Sequence, residues 1–225
     1  MFSILSLIRA GEIQLVIIYV LARCFVVFVC MPVHELSHAL IAYKLGDNTA
    51  KNQGRLTFNP IKHLNPIGTL MIFLFGIGYA EAVPVNPNNF KNPKKGMALT
   101  AVAGPVSNLL MGFVSVFFYC ALYNLFPDSS TVGYYVLGFF YYAAVVNVSL
   151  AAFNILPVPP LDGSKVLAAV LPDKAYYKYM QYERYVMIVL LVLLFTGVFD
   201  RPVSFLTNFL MNLISFIPSL IFHVA

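Results

Sequence analysis

Two histidines and a glutamate occur at the end of an apolar run where charged groups are not expected. His34, Glu35 and His38 lie in MPVHELSHALIAYKLGD, residues 31–47, directly after IQLVIIYVLARCFVVFVC. On a helix, residues four apart share one face, so the two imidazoles can bind one metal ion. The spacing H-E-x-x-H is typical of zinc peptidases, in which a carboxylate accepts a proton from the attacking water. It predicts His34 and His38 as metal ligands and Glu35 as the general base.

The position of this pattern strengthens the prediction. Ionisable groups at membrane depth usually belong to a functional site, because burying them without compensation costs several kcal/mol. The plainer alternative is a polar helix end that has left the membrane. Under that alternative the histidines reach into solvent and bind nothing.

A catalytic zinc needs a third protein ligand and an open position. Asp162, in PPLDG, is the candidate, because it follows a proline-broken segment at membrane depth. The alternative for Asp162 is a helix N-cap before GSKVLAAVL. Asp173 and Glu183 lie among lysines or tyrosines and are expected to be solvated loop charges.

The composition indicates an integral membrane protein. Of 225 residues, 60% are hydrophobic and only 10% are charged, far below the roughly one-quarter charged share of soluble domains. A spanning helix needs about 20 apolar residues, and we predict four or five full spans. The apolar stretches are Gln14–Tyr43, Gly96–Tyr123, Gly133–Leu156, Tyr185–Phe199 and Val203–Val224. The predicted fold is an all-α polytopic membrane protein with about four to six transmembrane segments.

The basic residues report topology. The net charge is +5, and eleven of the fourteen lysines and arginines fall in three loops between the apolar stretches. The positive-inside rule places all three loops in the cytoplasm, where they meet anionic lipid. We therefore expect a lipid bilayer and no nucleic acid as partner. The three cysteines, Cys24, Cys30 and Cys120, lie in apolar segments and predict no disulfide framework.

Residues 67–80, IGTLMIFLFGIGYA, are too short for a full span and have basic flanks on both sides. We predict that this segment enters the membrane and returns. Gly76 and Gly78, followed by AEAVPVNPN, favour an extended, β-like backbone. The last apolar segment, residues 203–224, either spans or lies in the interface. It carries a polar stripe of Asn208, Asn212, Ser215 and Ser219.

Three spaced motifs together resemble the site-2 protease family of intramembrane zinc metalloproteases, in particular its small bacterial or archaeal members without a PDZ domain. The motifs are HELSHAL, AGPVSN at residues 103–108 and FNILPVPPLDG at residues 153–163. The resemblance covers roughly residues 13–172. It implies one zinc held by His34, His38 and Asp162, Glu35 as the catalytic base, and Asn154 as a group that holds substrate or polarises its carbonyl.

The remaining matched residues are assigned smaller roles. Gly104, Pro105 and Asn108 match the family's second motif and are expected to permit close helix contact. GYAEAVPVN departs from the family's usual version, which puts a substrate contact by Glu81 in doubt. His63 as a fourth ligand would close the site, so we expect it to be a loop histidine with a structural or gating hydrogen bond.

The resemblance implies an enzyme that cleaves transmembrane segments of membrane proteins, in one domain of residues 1–225 with the core at 13–172 and C-terminal helices at 173–225. The topology predicts a multi-pass protein of the cell membrane with its site near the cytoplasmic side. We further expect residues near 76–85 to offer an edge to which an unwound substrate adds as a strand. Two alternatives stay open: a non-proteolytic zinc-binding membrane protein, and a transporter. Arg23, the natural substrate and the oligomeric state are left unexplained.

Overall fold

The structure, a computed structural model, describes residues 4–75, 80–127, 129–172 and 196–224, together with residues 175, 185, 186, 189, 190, 192 and 193. Regular structure in these residues is helical, and no strand occurs among them. This confirms the predicted all-α class. The helices are α1 (Ile4–Arg9), α2 (Ile13–Phe25), α3 (Met31–Lys44), α4 (Thr49–Asn52), α5 (Pro66–Phe75), α6 (Pro93–Tyr123), α7 (Thr131–Ile155), α8 (Asp162–Val170) and α9 (Asp200–Phe222).

Four helices in the described residues are long and apolar enough to cross a membrane. They are Ile13–Lys44, Pro93–Tyr123, Thr131–Ile155 and Asp200–Phe222. The first of them combines α2 and α3. Most of the further span predicted at Tyr185–Phe199 lies outside the described residues. The four observed spans agree with an integral membrane protein.

The first span contains one wide turn between α2 and α3. Val26–Cys30 is π-helical, and the N–H of Met31 bonds the carbonyl of Val26, five residues earlier. A π turn holds more residues than an α turn and therefore rotates everything after it about the helix axis. It sets the direction in which the face of α3 with His34 and His38 points.

Helix α9 runs the full length of α7. Near its start, the Thr207 hydroxyl lies 3.4 Å from that of Ser149, six residues before the last residue of α7. At its other end, Asn124 Nδ2, in the turn between α6 and α7, donates to the carbonyl of Phe222 at 3.0 Å. We call the end of the bundle with the α6–α7 turn the turn end, and the opposite end, where α7 leads into α8, the α8 end. This packing along α7, together with the length and composition of α9, favours a span over an interfacial position for residues 203–224.

Helices α6, α7 and α9 pack through small side chains. Ala144, Val148 and Ala152 of α7 are fully buried in the two clusters that join these helices. A Cβ at Gly112 of α6 would lie 2.8 Å from Val148 Cγ2. Membrane helices approach closely where such residues meet, because the hydrophobic effect does not drive them together in lipid.

The residues before and after the segment around α5 lie next to each other. The N–H of Glu81, after the segment, donates to the carbonyl of His63, before it, at 2.8 Å. Near the far end of α5, the Nη1 of Arg23 donates to the carbonyl of Phe73 at 2.8 Å. Arg23 is 2% exposed and also lies over the ring of Tyr19. The two ends of the segment meet, as a re-entrant element requires, and the buried arginine of α2 binds the last turn of α5.

The last part of this segment does not continue the helix, as the sequence predicts. Residues 80–86 are non-helical but pair with no neighbouring strand in the described part of the chain. Their backbone N–H groups bond carboxylates instead: Val83 donates to Glu35 Oε2 at 3.1 Å and Asn86 to Asp47 Oδ2 at 2.7 Å. Residues 76–79, which include both predicted glycines, lie outside the described residues.

Asp47 joins the end of α3 to the loop before α6. Its buried carboxylate accepts bonds from the backbone N–H and hydroxyl of Thr49, from Asn89 Nδ2 and from the N–H of Asn86. Burial by itself raises the pKa of this carboxyl, but the hydrogen bonds from Thr49, Asn89 and Asn86 outweigh it and hold the pKa below its ordinary value. The bonds anchor the segment that reaches Glu35.

Asp47→Asn is expected to lower the free energy of unfolding by about 1–3 kcal/mol near neutral pH, because the amide cannot replace a charged acceptor of several bonds. Folding lowers the pKa of Asp47, so its contribution is present above the ordinary pKa of about 3.9 and is lost as pH falls below it. The difference between wild type and variant should therefore shrink in acid. Thermal unfolding in detergent between pH 7 and pH 3 measures it.

The exposed carboxylate of Glu12 provides the control, as Glu12→Gln. That variant should unfold like wild type near neutral pH. A destabilisation by Asp47→Asn that is equal at pH 7 and pH 3 would contradict the assigned role of the charge.

Candidate metal centre

Three side chains from two distant parts of the chain converge at the α8 end. His34 Nε2 and His38 Nε2 lie 3.0 Å apart. Asp162 Oδ2 lies 3.4 Å from the first nitrogen and 3.3 Å from the second. All three residues are buried. Among the described residues they form the only group of three or more histidine, cysteine, aspartate or glutamate side chains that could share a metal ion.

The donor set fits a zinc ion. Zinc binds nitrogen and oxygen at about 2.0–2.1 Å in tetrahedral geometry, which places neighbouring ligand atoms about 3.3 Å apart. The observed separations of 3.0, 3.3 and 3.4 Å match this spacing. Two imidazoles and one carboxylate form a three-ligand set of the catalytic type, with one position left for water or substrate.

The backbone of α6 orients one of the imidazoles. His38 Nδ1 lies 2.7 Å from the carbonyl oxygen of Thr100. A carbonyl oxygen only accepts, so Nδ1 carries a proton, and Nε2 is the ring nitrogen directed to the metal group. Metal-binding histidines are commonly held this way by a hydrogen bond on the other ring nitrogen.

Asp162 occupies the first residue of α8 and does not cap the helix. The N-cap position is Leu161, without a side-chain cap. Burial raises the pKa of the Asp162 carboxyl, but the two imidazoles outweigh burial and keep this pKa well below its usual range. The N-cap alternative for Asp162 is therefore wrong: its carboxylate faces the histidines. Gly163 permits this geometry, because a Cβ there would overlap the carbonyl of Ile155.

Gly104 lets α6 lie directly against the histidines. A Cβ built on this glycine would stand 2.5 Å from His34 Nε2 and would also overlap the ring of His38. Both imidazoles are held by their place on α3, and Gly104 is buried inside α6. Residue 104 therefore has to be glycine for the three donor atoms to meet.

Gly104→Ala is expected to reduce zinc bound per chain by at least half, because the methyl group displaces one or both imidazoles by more than the ±0.2 Å that a metal site tolerates. Metal analysis of the purified protein after dialysis is the measurement. Gly112→Ala, on the same helix and also tightly packed, but against Val148, serves as the control and should keep its zinc. Equal zinc in both variants would contradict the role of Gly104.

Glu35 is buried and held by the segment after α5. Its Oε2 accepts the N–H of Val83 at 3.1 Å. The other oxygen, Oε1, has no hydrogen-bond partner in the described part of the chain. One oxygen is therefore fixed and the other is available to a water molecule.

The profile of Peptidase family M50 matches residues 22–197, which include the whole His34, His38 and Asp162 group. The chain belongs to peptidase family M50. The resemblance to site-2 proteases is thereby confirmed, and the family places the protein among the zinc metalloproteases of membranes.

Relatives in three organisms agree with this family. The chain is 44% identical over 170 residues to the "Putative zinc metalloprotease YwhC" of Bacillus subtilis, covering 75% of this chain and 77% of that one. It is 27% identical over 173 residues to the "Putative zinc metalloprotease Rip2" of Mycolicibacterium smegmatis, covering 75% and 64%. It is 28% identical over 150 residues to "Zinc metalloprotease MJ0392" of Methanocaldococcus jannaschii, covering 67% and 34%. No solved structure matches the chain.

The other residues considered in the sequence analysis lie outside the metal group. Asn154, near the end of α7, is half-buried, and its Nδ2 donates to the carbonyl of Leu150 at 3.0 Å. His63 is fully buried, with Nε2 2.8 Å from the carbonyl of Thr57, and does not belong to the metal group. Glu81 pairs with Arg55, which also bonds the Glu81 carbonyl. The role of Asn154 stays a prediction.

Sequence reasoning missed two contacts of the M50 site. They are the carbonyl of Thr100 on His38 and the N–H of Val83 on Glu35. Both are backbone groups, so the identity of the residue carries no signal for them. Gly104 was assigned to close helix contact, but the surface that it contacts, the histidine pair, was not identified.

Proposed function

We propose that this M50 protein cleaves membrane-spanning segments of other proteins with a zinc-activated water. The observation that carries the proposal is the buried triangle of His34, His38 and Asp162 beside a held glutamate. His34, His38 and Asp162 hold the zinc, one per chain, and Glu35 is the general base. Bound there, zinc supplies Lewis-acid polarisation of the water and of the peptide carbonyl.

Glu35 moves the proton. Its free Oε1 takes a proton from the attacking water and returns it to the leaving nitrogen, while Oε2 stays on the N–H of Val83. The hydrogen bond prevents the carboxylate from turning away between the two transfers. The amide of Asn154 is the proposed contact to the substrate near the carbonyl that is attacked.

An apolar cavity supports a substrate from the membrane. It has a volume of about 390 Å³ and lies between α6 and the α7–α8 region, with Asp162 in its wall. Val102, Val106 and Val166, which line it, are at least 38% exposed. A peptide that reaches the metal group from this side passes apolar walls, as a hydrophobic segment would prefer.

Residues 80–86 are the proposed edge for an unwound substrate. The N–H groups of Glu81 and Val83 are used inside the protein. The N–H of Ala82 between them has no partner in the described residues. An added strand can accept this N–H and replace one of the backbone hydrogen bonds that the substrate loses on unwinding.

Ala82→Pro is expected to lower kcat/KM for a membrane substrate by about tenfold, because one hydrogen bond of roughly 1–1.5 kcal/mol to the substrate is lost. Zinc content should not change. Ala82→Val, which keeps the N–H, is the matched control and should cleave like wild type. Unchanged kcat/KM in the proline variant would refute strand addition at this edge.

The proposal places the M50 site near the cytoplasmic face of the cell membrane. The positive-inside rule assigns the three basic loops to the cytoplasm, and with them the ends of the spans that they join. Water reaches a site at such a depth more easily than one at mid-membrane. Cleavage of membrane-spanning segments at this face would make the protein an enzyme of regulated intramembrane proteolysis.

Reconstitution tests the proposal. Purified protein and a single-span substrate are placed together in proteoliposomes, and cleavage is followed by mass spectrometry of the products. We expect cuts inside the apolar segment, loss of cleavage with a zinc chelator and recovery when zinc is returned. Bound zinc without cleavage of any membrane segment would favour the non-proteolytic zinc-binding alternative, and a protein without zinc would favour the transporter.

A further inference from the structure

Two carboxamides face outward from the middle of a spanning helix. Asn208 and Asn212 lie one turn apart on α9, and both side chains are exposed. α9 runs from Asp200 to Phe222, so Asn212 is one residue from its centre. At a rise of about 1.5 Å per residue, Asn212 lies roughly 15 Å or more from either end of the helix.

The position of α9 in the bundle supports this depth. Thr207, seven residues after the start of α9, is level with Ser149 near the α8 end of α7, and Phe222, at the other end, is level with Asn124 at the turn end. Between them, Ile214 lies beside Gly112 of α6. Asn212 is therefore near mid-membrane depth, and Asn208 lies one turn nearer the α8 end.

In the described part of the chain, the side-chain amides of Asn208 and Asn212 have no hydrogen-bond partner. The serines of the same stripe differ, since their hydroxyls bond carbonyls of α9 itself: Ser215 to Asn212 and Ser219 to Ser215. A carboxamide left unpaired in hydrocarbon is strongly unfavourable, because the lipid offers neither donor nor acceptor. A partner in the membrane has to supply both.

We propose that the Asn208–Asn212 face of α9 binds the same face of a second copy of this chain. A carboxamide carries both a donor and an acceptor, so the stripe is complementary to itself. Two copies inserted in the same orientation are related by a two-fold axis along the membrane normal, which brings equal depths together. Asn208 then meets Asn208 and Asn212 meets Asn212 of the second copy, as asparagines do between membrane helices.

The side chains around the amides suit such a contact. Phe205 and Phe209, 75% and 58% exposed, border the stripe on one side. They supply apolar area around the amide bonds, which excludes lipid from them. The buried side of α9, with Thr207 and Leu210, packs on α6 and α7 and is not available.

Dimerisation is tested with two double variants in lipid nanodiscs or vesicles, labelled for energy transfer. Asn208→Leu/Asn212→Leu should weaken self-association about tenfold or more. The reason is that two to four interhelical hydrogen bonds are lost, and each strengthens the association constant roughly threefold. The matched control is Ile217→Leu/Ile221→Leu, with the same spacing but outside the asparagine stripe, where both side chains are exposed. The control should associate like wild type.

Cross-linking gives a second measurement in native membranes. In a background with Cys24, Cys30 and Cys120 replaced by alanine, Asn208→Cys should form a species of twice the 25.0 kDa chain mass, and Ile217→Cys should not. A wild-type protein that stays monomeric at all densities overturns the proposal. So does undiminished association of the asparagine double variant, or an Asn208→Cys variant that cross-links only to other proteins.

Discussion

Glu35→Gln is expected to bind one zinc per chain and to lose cleavage of a reconstituted single-span substrate, with kcat lower by about 10²–10⁴-fold, the contribution of general acid–base catalysis. The metal triangle of His34, His38 and Asp162 does not include Glu35. The amide oxygen of glutamine can still accept the N–H of Val83, which Glu35 Oε2 accepts in the wild type. The substitution therefore removes the proton acceptor and leaves the neighbourhood intact.

Glu81→Gln is the matched control for this experiment. Glu81 lies two residues before Val83, and its carboxylate is 61% exposed and pairs with Arg55. Cleavage by that variant should stay near the wild-type rate. Equal product from Glu35→Gln and wild type would remove the claim that this site is a protease, whatever its zinc content.

Asp162→Asn is expected to weaken zinc binding by at least about a hundredfold, since even residues behind the direct ligands contribute 10–100-fold to metal affinity. The neutral amide oxygen is a poorer zinc ligand than a carboxylate. The substitution also removes the negative charge 3.3–3.4 Å from the two imidazole nitrogens. Competition titration with a zinc-binding dye gives the affinity, and metal analysis gives the stoichiometry.

Asp200→Asn, at the first residue of α9 and outside the metal group, controls for the loss of a carboxylate as such. It should retain zinc with wild-type affinity. Full zinc retention by Asp162→Asn would mean that the aspartate is a neighbour of the site and not a ligand. In that case the third ligand has to be sought among other residues.

The two variants separate two functions of the site. Glu35→Gln should retain zinc without cleavage, and Asp162→Asn should lose both. The geometry explains the difference, because Asp162 Oδ2 is one corner of the donor triangle and Glu35 is held outside it by Val83. A protein that binds zinc for structural reasons alone would show the zinc effect of Asp162→Asn and no effect of Glu35→Gln on any peptide bond.

Local patterns in the sequence predicted the parts of the site that depend on helix periodicity. The spacing of His34 and His38 places both imidazoles on one face of any α-helix, whatever surrounds that helix. The apolar stretches predicted the three spans Ile13–Lys44, Pro93–Tyr123 and Thr131–Ile155 to within a few residues, because the bilayer sets the length and composition of a spanning helix. Asp162 was predicted from its place after a proline-broken segment.

Contacts between distant backbone groups were beyond such patterns. Every residue except proline offers an N–H, so nothing in the sequence marks Val83 as the donor to Glu35. The same holds for the carbonyls that accept from His38 and Arg23. Residues 80–86 are non-helical, as predicted, but nothing in the sequence indicates that the N–H groups of Val83 and Asn86 bond carboxylates.

The sequence by itself determined that this is a polytopic helical membrane protein with a two-histidine metal motif, because lipid and helix periodicity act on short stretches of residues. Only the tertiary structure decided where that motif points and what completes it. The π turn at Val26–Cys30 sets the rotation of α3, Gly104 allows α6 to approach, and α8 brings Asp162 within 3.4 Å of both imidazoles. Distances between elements depend on the packing of the whole bundle, which no short stretch encodes.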